Sequence, residues 1–211
     1  TLTVAKAMDK RSISPCKARR DCMAGIAALP VVILLPQVSN AQTASGGAGG
    51  GDQPPDEVRR RRPAARLSGR GTLRFLGLHI YDALLWAENA VDSGNYVAQP
   101  LALELRYARS LYGSLIAERS LREMERAGPI PSAQSERWLA FMRDAFPDVA
   151  AGDRITGLWN PAEETSEFVI NGKQSKSLRD RAFGERFFGI WLGSSTSEPA
   201  LRQALLGRKA P

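Results

Sequence analysis

The histidine, tyrosine and carboxylate side chains are the groups from which an active site in this sequence would be built. The single histidine, His79, lies in the stretch RFLGLHIYDALLW and is followed two residues later by Tyr81. A lone histidine excludes a metal cluster built on several histidines, and a Ser-His-Asp triad would depend on His79 alone. Since an unperturbed histidine titrates at about pH 6.5, His79 is the natural candidate for a general acid or base.

Other catalytic patterns are weak. No glycine-rich loop follows a predicted strand and opens a helix, so nucleotide binding is not indicated. The carboxylates are scattered: Glu163 and Glu164 fall in a predicted turn, whereas Glu118, Glu123 and Glu125 lie on a predicted helix that needs charge on its exposed face. A glycosidase pair is therefore not favoured. The sequence predicts no metal and no cofactor.

The N-terminal region is typical of an export signal. Basic residues precede the apolar run MAGIAALPVVILL, and small residues surround a cleavage point after Ala41. The run holds about 13 residues, too few to span a bilayer unaided. We predict a signal peptide over residues 1–41 and a periplasmic or secreted product without a stable membrane span. A signal-anchor helix is the alternative, which Pro30 and Pro36 weaken.

Charge and cysteine content indicate which functions the predicted exported part does not have. The net charge is +7, of which residues 1–41 carry +4, so +3 remains and nucleic-acid binding is not indicated. Cys16 and Cys22 both lie in the signal region, which leaves no disulfide, thiolate nucleophile or cysteine metal site beyond it. Residues 42–64 are rich in Gly, Pro and Arg and predict a disordered linker, in which the run Arg59 to Arg62 is solvated.

The remaining residues, 65–211, predict one domain of α+β class. Strand-like segments begin with residues 73–86, as two strands or one bent around Gly77, and continue over residues 101–107, 154–159 and 166–170, with a further hairpin at Asn171-Gly172. Helix-like segments cover residues 114–127, the region of Trp138 to Ala145, a stretch from Asp180 to Gly193, and one beginning at Ser197. Amphipathic helices of this kind pack on an antiparallel sheet.

The two faces of the opening strand differ in character. One face holds apolar residues and is expected in the core: Leu76, Leu78, Ile80, Leu84 and Trp86. The other mixes small and polar-tipped residues: Phe75, Gly77, His79, Tyr81, Ala83 and Leu85. This second face either lines a pocket or is an ordinary covered sheet face with His79 half-exposed and the Tyr81 hydroxyl satisfied.

Four segments together resemble the chalcone isomerase-like domain in its bacterial exported branch. They are FLGLHIYDALLW, LALELRYARSLYG, the GDRITGLWN and EFVINGK hairpin, and FFGIWLGSSTSEPALRQALLG. The resemblance covers residues 66–206. It implies an open-faced β-sandwich, in which a large antiparallel sheet is covered by a layer of helices. It also implies an apolar cleft, which serves as a cofactor-free isomerase site in some members and as a fatty-acid site in others.

The resemblance transfers the isomerase residues poorly. No Thr or Ser occurs in residues 75–83, where the isomerases place a catalytic Thr. The turn Leu111-Tyr112-Gly113 matches theirs, and it sets Ile116 at the catalytic Tyr and Glu123 at an Asn. Tyr112 is the residue that would offset one loss. The family's cleft arginine corresponds to Arg70 or Arg74.

Three hypotheses follow. The leading one is an exported, non-catalytic protein that binds a hydrophobic or fatty-acid-like ligand. In it, Arg70 or Arg74 pairs with the carboxylate, and Tyr81, Tyr107 and Tyr112 donate hydroxyl hydrogen bonds beside His79. The second is a cofactor-independent isomerase or intramolecular lyase that uses His79 or Tyr112. The third is an envelope interaction protein with no small ligand, which predicts a filled cleft.

Overall fold

The computed structural model describes residues 53–207. The predicted signal peptide lies outside the described residues, as do residues 42–52 of the predicted linker. Within the described range no helix is long and apolar enough to cross a bilayer.

One antiparallel sheet of six strands organises the described chain. Its strands are β1 (Arg66–Phe75), β2 (Leu78–Ala87), β3 (Leu101–Tyr107), β4 (Arg154–Asn160), β5 (Thr165–Ile170) and β6 (Lys173–Arg179). They lie side by side in chain order, each antiparallel to the next. The predicted meander and α+β class are confirmed.

Five helices surround the sheet. They are α1 (Asp56–Arg61), α2 (Gly113–Glu125), α3 (Ser132–Ala145), α4 (Arg181–Leu192) and α5 (Pro199–Leu205), with a short 3-10 turn at Tyr96–Ala98. The predicted start signals are visible in the structure. Asp180 caps α4, because its carboxylate accepts a hydrogen bond from the Phe183 amide at 3.0 Å, and Pro199 occupies the first turn of α5.

A two-residue turn divides the opening stretch into β1 and β2. Leu76 and Gly77 both have positive φ, 50° and 79°, and Phe75 pairs directly with Leu78 across the turn. Positive φ at both central residues is the geometry of a tight hairpin, and Gly satisfies it without steric cost. Of the two alternatives left by the sequence, the structure has two strands.

Small residues in β1 let a helix approach the sheet edge. A side chain at Gly69 would meet the backbone oxygen of Ala204 at 2.1 Å, and one at Gly71 would meet the Leu201 side chain at 2.6 Å. Helix α5 therefore packs directly on β1. Gly69 and Gly71 of the segment RLSGRGTLRF allow this close approach because they have no side chains on this face.

Helices α2 to α5 cover one face of the sheet and enclose the main core. Phenylalanine rings dominate the part of this core next to β5: Phe168 packs against Phe146 and Phe187 with ring centroids 4.9 and 5.0 Å apart. Phe183 stacks on Phe187 at 5.5 Å. These edge and stacked contacts fill the space between sheet and helices at that end of the core.

The opposite face of the sheet is covered by α1. Val58 is fully buried there and forms a second, smaller cluster with side chains of β2 to β5: Leu84, Trp86, Ala102, Leu158 and Val169. The expectation of a disordered linker is thus wrong for residues 56–62. A six-residue helix orders because its one apolar side chain completes a face that would otherwise be exposed.

The predicted solvated arginine run is wrong for its second half, since Arg61 and Arg62 bond to the sheet whereas Arg59 and Arg60 are exposed. Arg61 donates to the Glu167 carboxylate of β5, with Nε 2.8 Å from Oε2, and Arg62 donates to the Trp159 carbonyl at 2.5 Å. Burial lowers the pKa of the Arg62 guanidinium. These bonds attach α1 to the central and outer strands.

A buried carboxylate is the strongest attachment of α1. Glu57 is fully buried and accepts hydrogen bonds from Arg154 Nε at 3.1 Å and from Thr156 Oγ1 at 2.9 Å. Arg154 also lies 3.7 Å from the buried carboxylate of Glu104, which accepts a hydrogen bond from Trp86 Nε1. The charges under α1 are therefore paired.

Replacing Glu57 by Ala should destabilise the fold strongly. The change leaves Arg154 and Thr156 without their acceptor in a buried site, which costs about 3 kcal/mol. Urea denaturation measures the loss. Asp56→Ala is the matched control, since Asp56 is exposed and pairs only with Arg59 of the same helix, so its unfolding midpoint should stay near that of the wild type. Equal midpoints for both variants would contradict the role of Glu57.

Candidate functional site

A cavity lies between the sheet and helices α2 and α4. Its volume is about 290 Å³, close to the lower end of the range for small-molecule sites. Strands β1 to β4 form one wall, and the loop between α4 and α5 contributes Ser197 and Glu198. The space remains because the phenylalanine-rich packing next to β5 reaches only its border, at Phe146 and Phe187.

The lining is mainly aliphatic and aromatic. From the strands come Leu73, Phe75, Ile80, Leu105 and Ile155, and from the helices and loops come Leu111, Leu115, Ile116, Ile190 and Trp191. Binding of an apolar ligand to such a surface is favourable, because it removes apolar area of both from water. The interaction-protein hypothesis predicts a narrow, filled cleft, whereas the structure has a cavity at this position.

Two tyrosines from neighbouring strands place hydroxyl groups at the cavity. Tyr81 of β2 and Tyr107 of β3 are directly paired in the sheet, and their rings meet edge to face with centroids 5.9 Å apart. Burial raises the pKa of both hydroxyls well above the ordinary value for tyrosine. Both groups are therefore neutral at physiological pH and serve as hydrogen-bond donors rather than bases.

The Tyr81 hydroxyl is oriented by α4. Trp191 Nε1 donates to the Tyr81 oxygen at 2.9 Å, so the proton of Tyr81 must point elsewhere. The Tyr107 hydroxyl forms no hydrogen bond with any group of residues 53–207. Two O–H donors thus remain available at the wall of an apolar cavity.

A charged cluster from α2 stands at the same cavity. Arg119 Nη2 lies 2.6 Å from Glu123 Oε1, one helical turn further on, and both residues line the cavity together with Glu198. The second oxygen of Glu123, Oε2, is buried and accepts no hydrogen bond from the described chain, although Arg126 Nε lies 3.5 Å away. The lining therefore includes a buried carboxylate oxygen without a hydrogen-bond partner in the described chain beside its donors.

The structure separates the predicted site residues into two groups. Tyr81 and Tyr107 line the cavity. Arg70 and Arg74 are exposed on the edge strand β1, and neither lines it. His79 lies outside the lining and bonds to Asp82, with Nε2 3.0 Å from Oδ1, and Tyr112 is exposed beside Leu111. In the part of the chain that the structure describes, no three His, Cys, Asp or Glu side chains assemble as a metal site would require.

The arginine of the lining is Arg119, which the sequence reasoning missed. The available signal is the spacing of Arg119 and Glu123, four residues apart on a predicted helix, although Glu123 is one of the three glutamates expected on its exposed face. Their placement depends on how α2 rotates against β3 and α4, a long-range property of packing.

The sequence and the fold resemble those of known proteins. A family model described as chalcone isomerase-like matches residues 49–207, about three quarters of the chain. This protein belongs to the chalcone isomerase-like family. The resemblance inferred from four segments is confirmed, and its match begins before α1, which makes that helix part of the chalcone isomerase-like domain.

Two individual relatives accompany the family match. An uncharacterised protein of Haemophilus influenzae is 27% identical over 130 residues, which cover 62% of each chain. The crystal structure of a fatty-acid binding protein from Arabidopsis thaliana superposes with a TM-score of 0.55 at 12% identity, covering 68% of this chain and 87% of that one. At that identity the likeness shows the fold alone, and it confirms the open-faced sandwich.

The two tyrosines of this chalcone isomerase-like domain should respond differently to loss of their hydroxyls. Tyr81→Phe leaves the Trp191 indole N–H without its acceptor and should cost about 1–2 kcal/mol of unfolding free energy. Tyr107→Phe removes a hydroxyl that no described group uses and should change stability little. Urea unfolding of the two variants side by side measures the difference, and an equal cost would contradict the assigned bonding.

Proposed function

We propose that this protein is an exported, non-catalytic binding protein whose cavity holds a hydrophobic ligand with one oxygen-bearing head group. The observation that carries the proposal is the combination of an apolar cavity with two neutral hydroxyl donors in its wall. An apolar cavity of this size favours an aliphatic or aromatic ligand at about 25 cal/mol per Å² of buried apolar surface. The predicted signal peptide and the cysteine-free domain support export.

The donors of the wall select an oxygen acceptor on the ligand. Tyr81 and Tyr107 stand next to each other, so a carbonyl or carboxyl oxygen between them can accept from both. The fold shared with a protein named for fatty-acid binding supports a fatty-acid-like molecule. Arg119 lines the cavity, whereas Arg70 and Arg74 do not, so Arg119 replaces them as the proposed partner of a ligand carboxylate.

The acidic groups of the lining limit how much negative charge the ligand can carry. The lining holds two carboxylates, Glu123 and Glu198, and one guanidinium, Arg119. That guanidinium already forms an ion pair with Glu123. A carboxylate that enters the cavity competes with Glu123 for Arg119 in a setting where like charges repel. A carboxylic acid and its methyl ester should therefore bind with comparable affinity if the tyrosines hold the head group, whereas the acid should bind more tightly if Arg119 holds it.

The isomerase alternative loses its two named residues. His79 and Tyr112 stand outside the lining. The hydroxyls inside it, with pKa values raised by burial, are poor proton acceptors at physiological pH.

Native mass spectrometry of the purified protein is the direct test of ligand binding. We expect an adduct of lipid mass that organic extraction removes and that added fatty acid restores. An empty cavity, with no fatty acid or ester bound in titration either, would refute the proposal.

Filling the cavity should abolish binding without unfolding the protein. Ile116→Trp places a larger ring in the space that the ligand would occupy, so we expect loss of at least tenfold in affinity for a fluorescent fatty-acid analogue. Leu121→Trp is the matched control, because Leu121 is a half-buried residue of the same helix outside the lining. Circular dichroism checks that both variants fold. Equal binding by both would place the ligand outside the cavity.

Removing one hydroxyl should weaken the ligand's head-group contact. Tyr107→Phe deletes a donor of the lining and should lower affinity about fivefold, the worth of one hydrogen bond. Tyr112→Phe deletes an exposed hydroxyl outside the lining and should leave affinity unchanged. Fluorescence displacement titration compares them, and unchanged binding in Tyr107→Phe would exclude this head-group position.

A further inference from the structure

The exposed apolar side chains of the described chain form one patch at the cavity mouth. Each of its five members is more than half exposed: Phe75, Leu76, Leu78, Tyr112 and Leu115. No other large hydrophobic side chain within residues 53–207 is exposed to this degree. Phe75 and Leu115 also line the cavity, so the mouth patch and the cavity wall are one continuous apolar surface.

The tip of the β1–β2 hairpin carries a leucine where the backbone disfavours one. Leu76 is 87% exposed and has φ 50°, the left-handed region in which Asn and Gly are the usual residues of a tight turn. An exposed leucine in this conformation adds nothing to the core and costs conformational energy. Fold stability alone therefore does not account for an apolar side chain here.

The charges next to the mouth patch leave positive groups unpaired. Arg74 precedes Phe75, and Arg109 lies three residues before Tyr112; neither forms an ion pair or hydrogen bond with a described residue. Two acids of this region have hydrogen-bond partners: Asp82 accepts from Thr72 Oγ1 at 2.6 Å and bonds to His79, and Asp148 accepts from the Gly113 amide at 2.8 Å. An apolar tip flanked by free arginines complements a surface of anionic head groups over hydrocarbon.

We propose that the mouth patch docks on a lipid bilayer with anionic head groups, so that the cavity opens toward the hydrocarbon. Leu76, with Phe75 and Leu78 beside it, inserts below the head groups, and Arg74 and Arg109 contact the phosphates. A ligand of low water solubility then passes from bilayer to cavity over apolar surface. The docking rests on the exposed residues; only its purpose, loading the cavity, rests on the proposed function.

A tryptophan at the hairpin tip tests insertion directly. The four native tryptophans are buried, so Leu76→Trp adds the one indole that would meet lipid. With phosphatidylcholine vesicles containing phosphatidylglycerol, we expect a blue shift of its emission and quenching by brominated lipid. Ala162→Trp, in the exposed β4–β5 turn at the other end of the sheet, is the matched control and should show neither. No quenching at Leu76→Trp, or equal quenching in both, overturns the proposal.

Vesicle co-sedimentation tests the apolar and the electrostatic contributions to bilayer binding separately. Leu76→Asn suits the turn geometry, so it should fold at least as stably as the wild type, yet bind about tenfold more weakly because it loses one inserted leucine. Arg74→Gln should weaken binding to anionic vesicles about fivefold, whereas Arg179→Gln, on the opposite edge strand, should not. All variants are prepared in the same form as the wild type, so any binding by residues 1–52 is common to them.

The outcomes separate the docking surface from the ligand site. If Leu76→Asn binds vesicles with the affinity of the wild type, the proposal is overturned. It is also overturned if the wild type does not bind vesicles and the patch only drives self-association, which would appear as a molar mass in solution that falls in Leu76→Asn. Native mass spectrometry reports ligand independently. An empty cavity with normal vesicle docking refutes the proposed function alone, and a filled cavity without docking refutes the bilayer surface alone.

Discussion

A six-stranded sheet has two faces to cover, and within residues 53–207 the four longer helices all lie on one of them. Helices α2 to α5 cover one face, and the other depends on the short helix α1 and on the paired charges beneath it. The carboxylate of Glu57 makes that arrangement possible, because it joins the N-terminal helix to Arg154 and Thr156 of β4. A helix of six residues has little stability of its own, so its order derives from these tertiary contacts.

The cavity follows from uneven packing on the helical face. Phenylalanine rings around Phe168 fill the space next to β5, whereas the wall contributed by β1 to β3 carries two leucines, one isoleucine, one phenylalanine and two tyrosines. Phe146 and Phe187, which pack on Phe168 and on each other, lie at the border of the cavity. The bond from Trp191 to Tyr81 then joins α4 to the sheet at the cavity itself.

Local patterns in the sequence predicted the sheet and helices α2 to α5 and two tyrosines of the site, but not α1 or the charged residues of the lining. Alternation over Leu101 to Tyr107 predicted β3, and Asp180 and Pro199 marked two helix starts, because these signals act within a few residues. The arginine run was misjudged because the partners of Arg61 and Arg62, Glu167 and the Trp159 carbonyl, lie about a hundred residues away. Arg119 was missed for the same reason: the rotation of α2 is set by tertiary packing.

The two buried hydroxyls of the cavity wall suit the proposed role of holding a ligand. Catalysis of proton transfer needs a group that gains and loses a proton near the working pH, and burial moves Tyr81 and Tyr107 away from that condition. The same burial strengthens a hydrogen bond from either hydroxyl to a ligand oxygen, because the local dielectric is low and water does not compete. A mainly apolar wall that carries two neutral hydroxyls and is continuous with an exposed apolar rim at Phe75 and Leu115 suits the reversible capture of an amphipathic molecule that we propose.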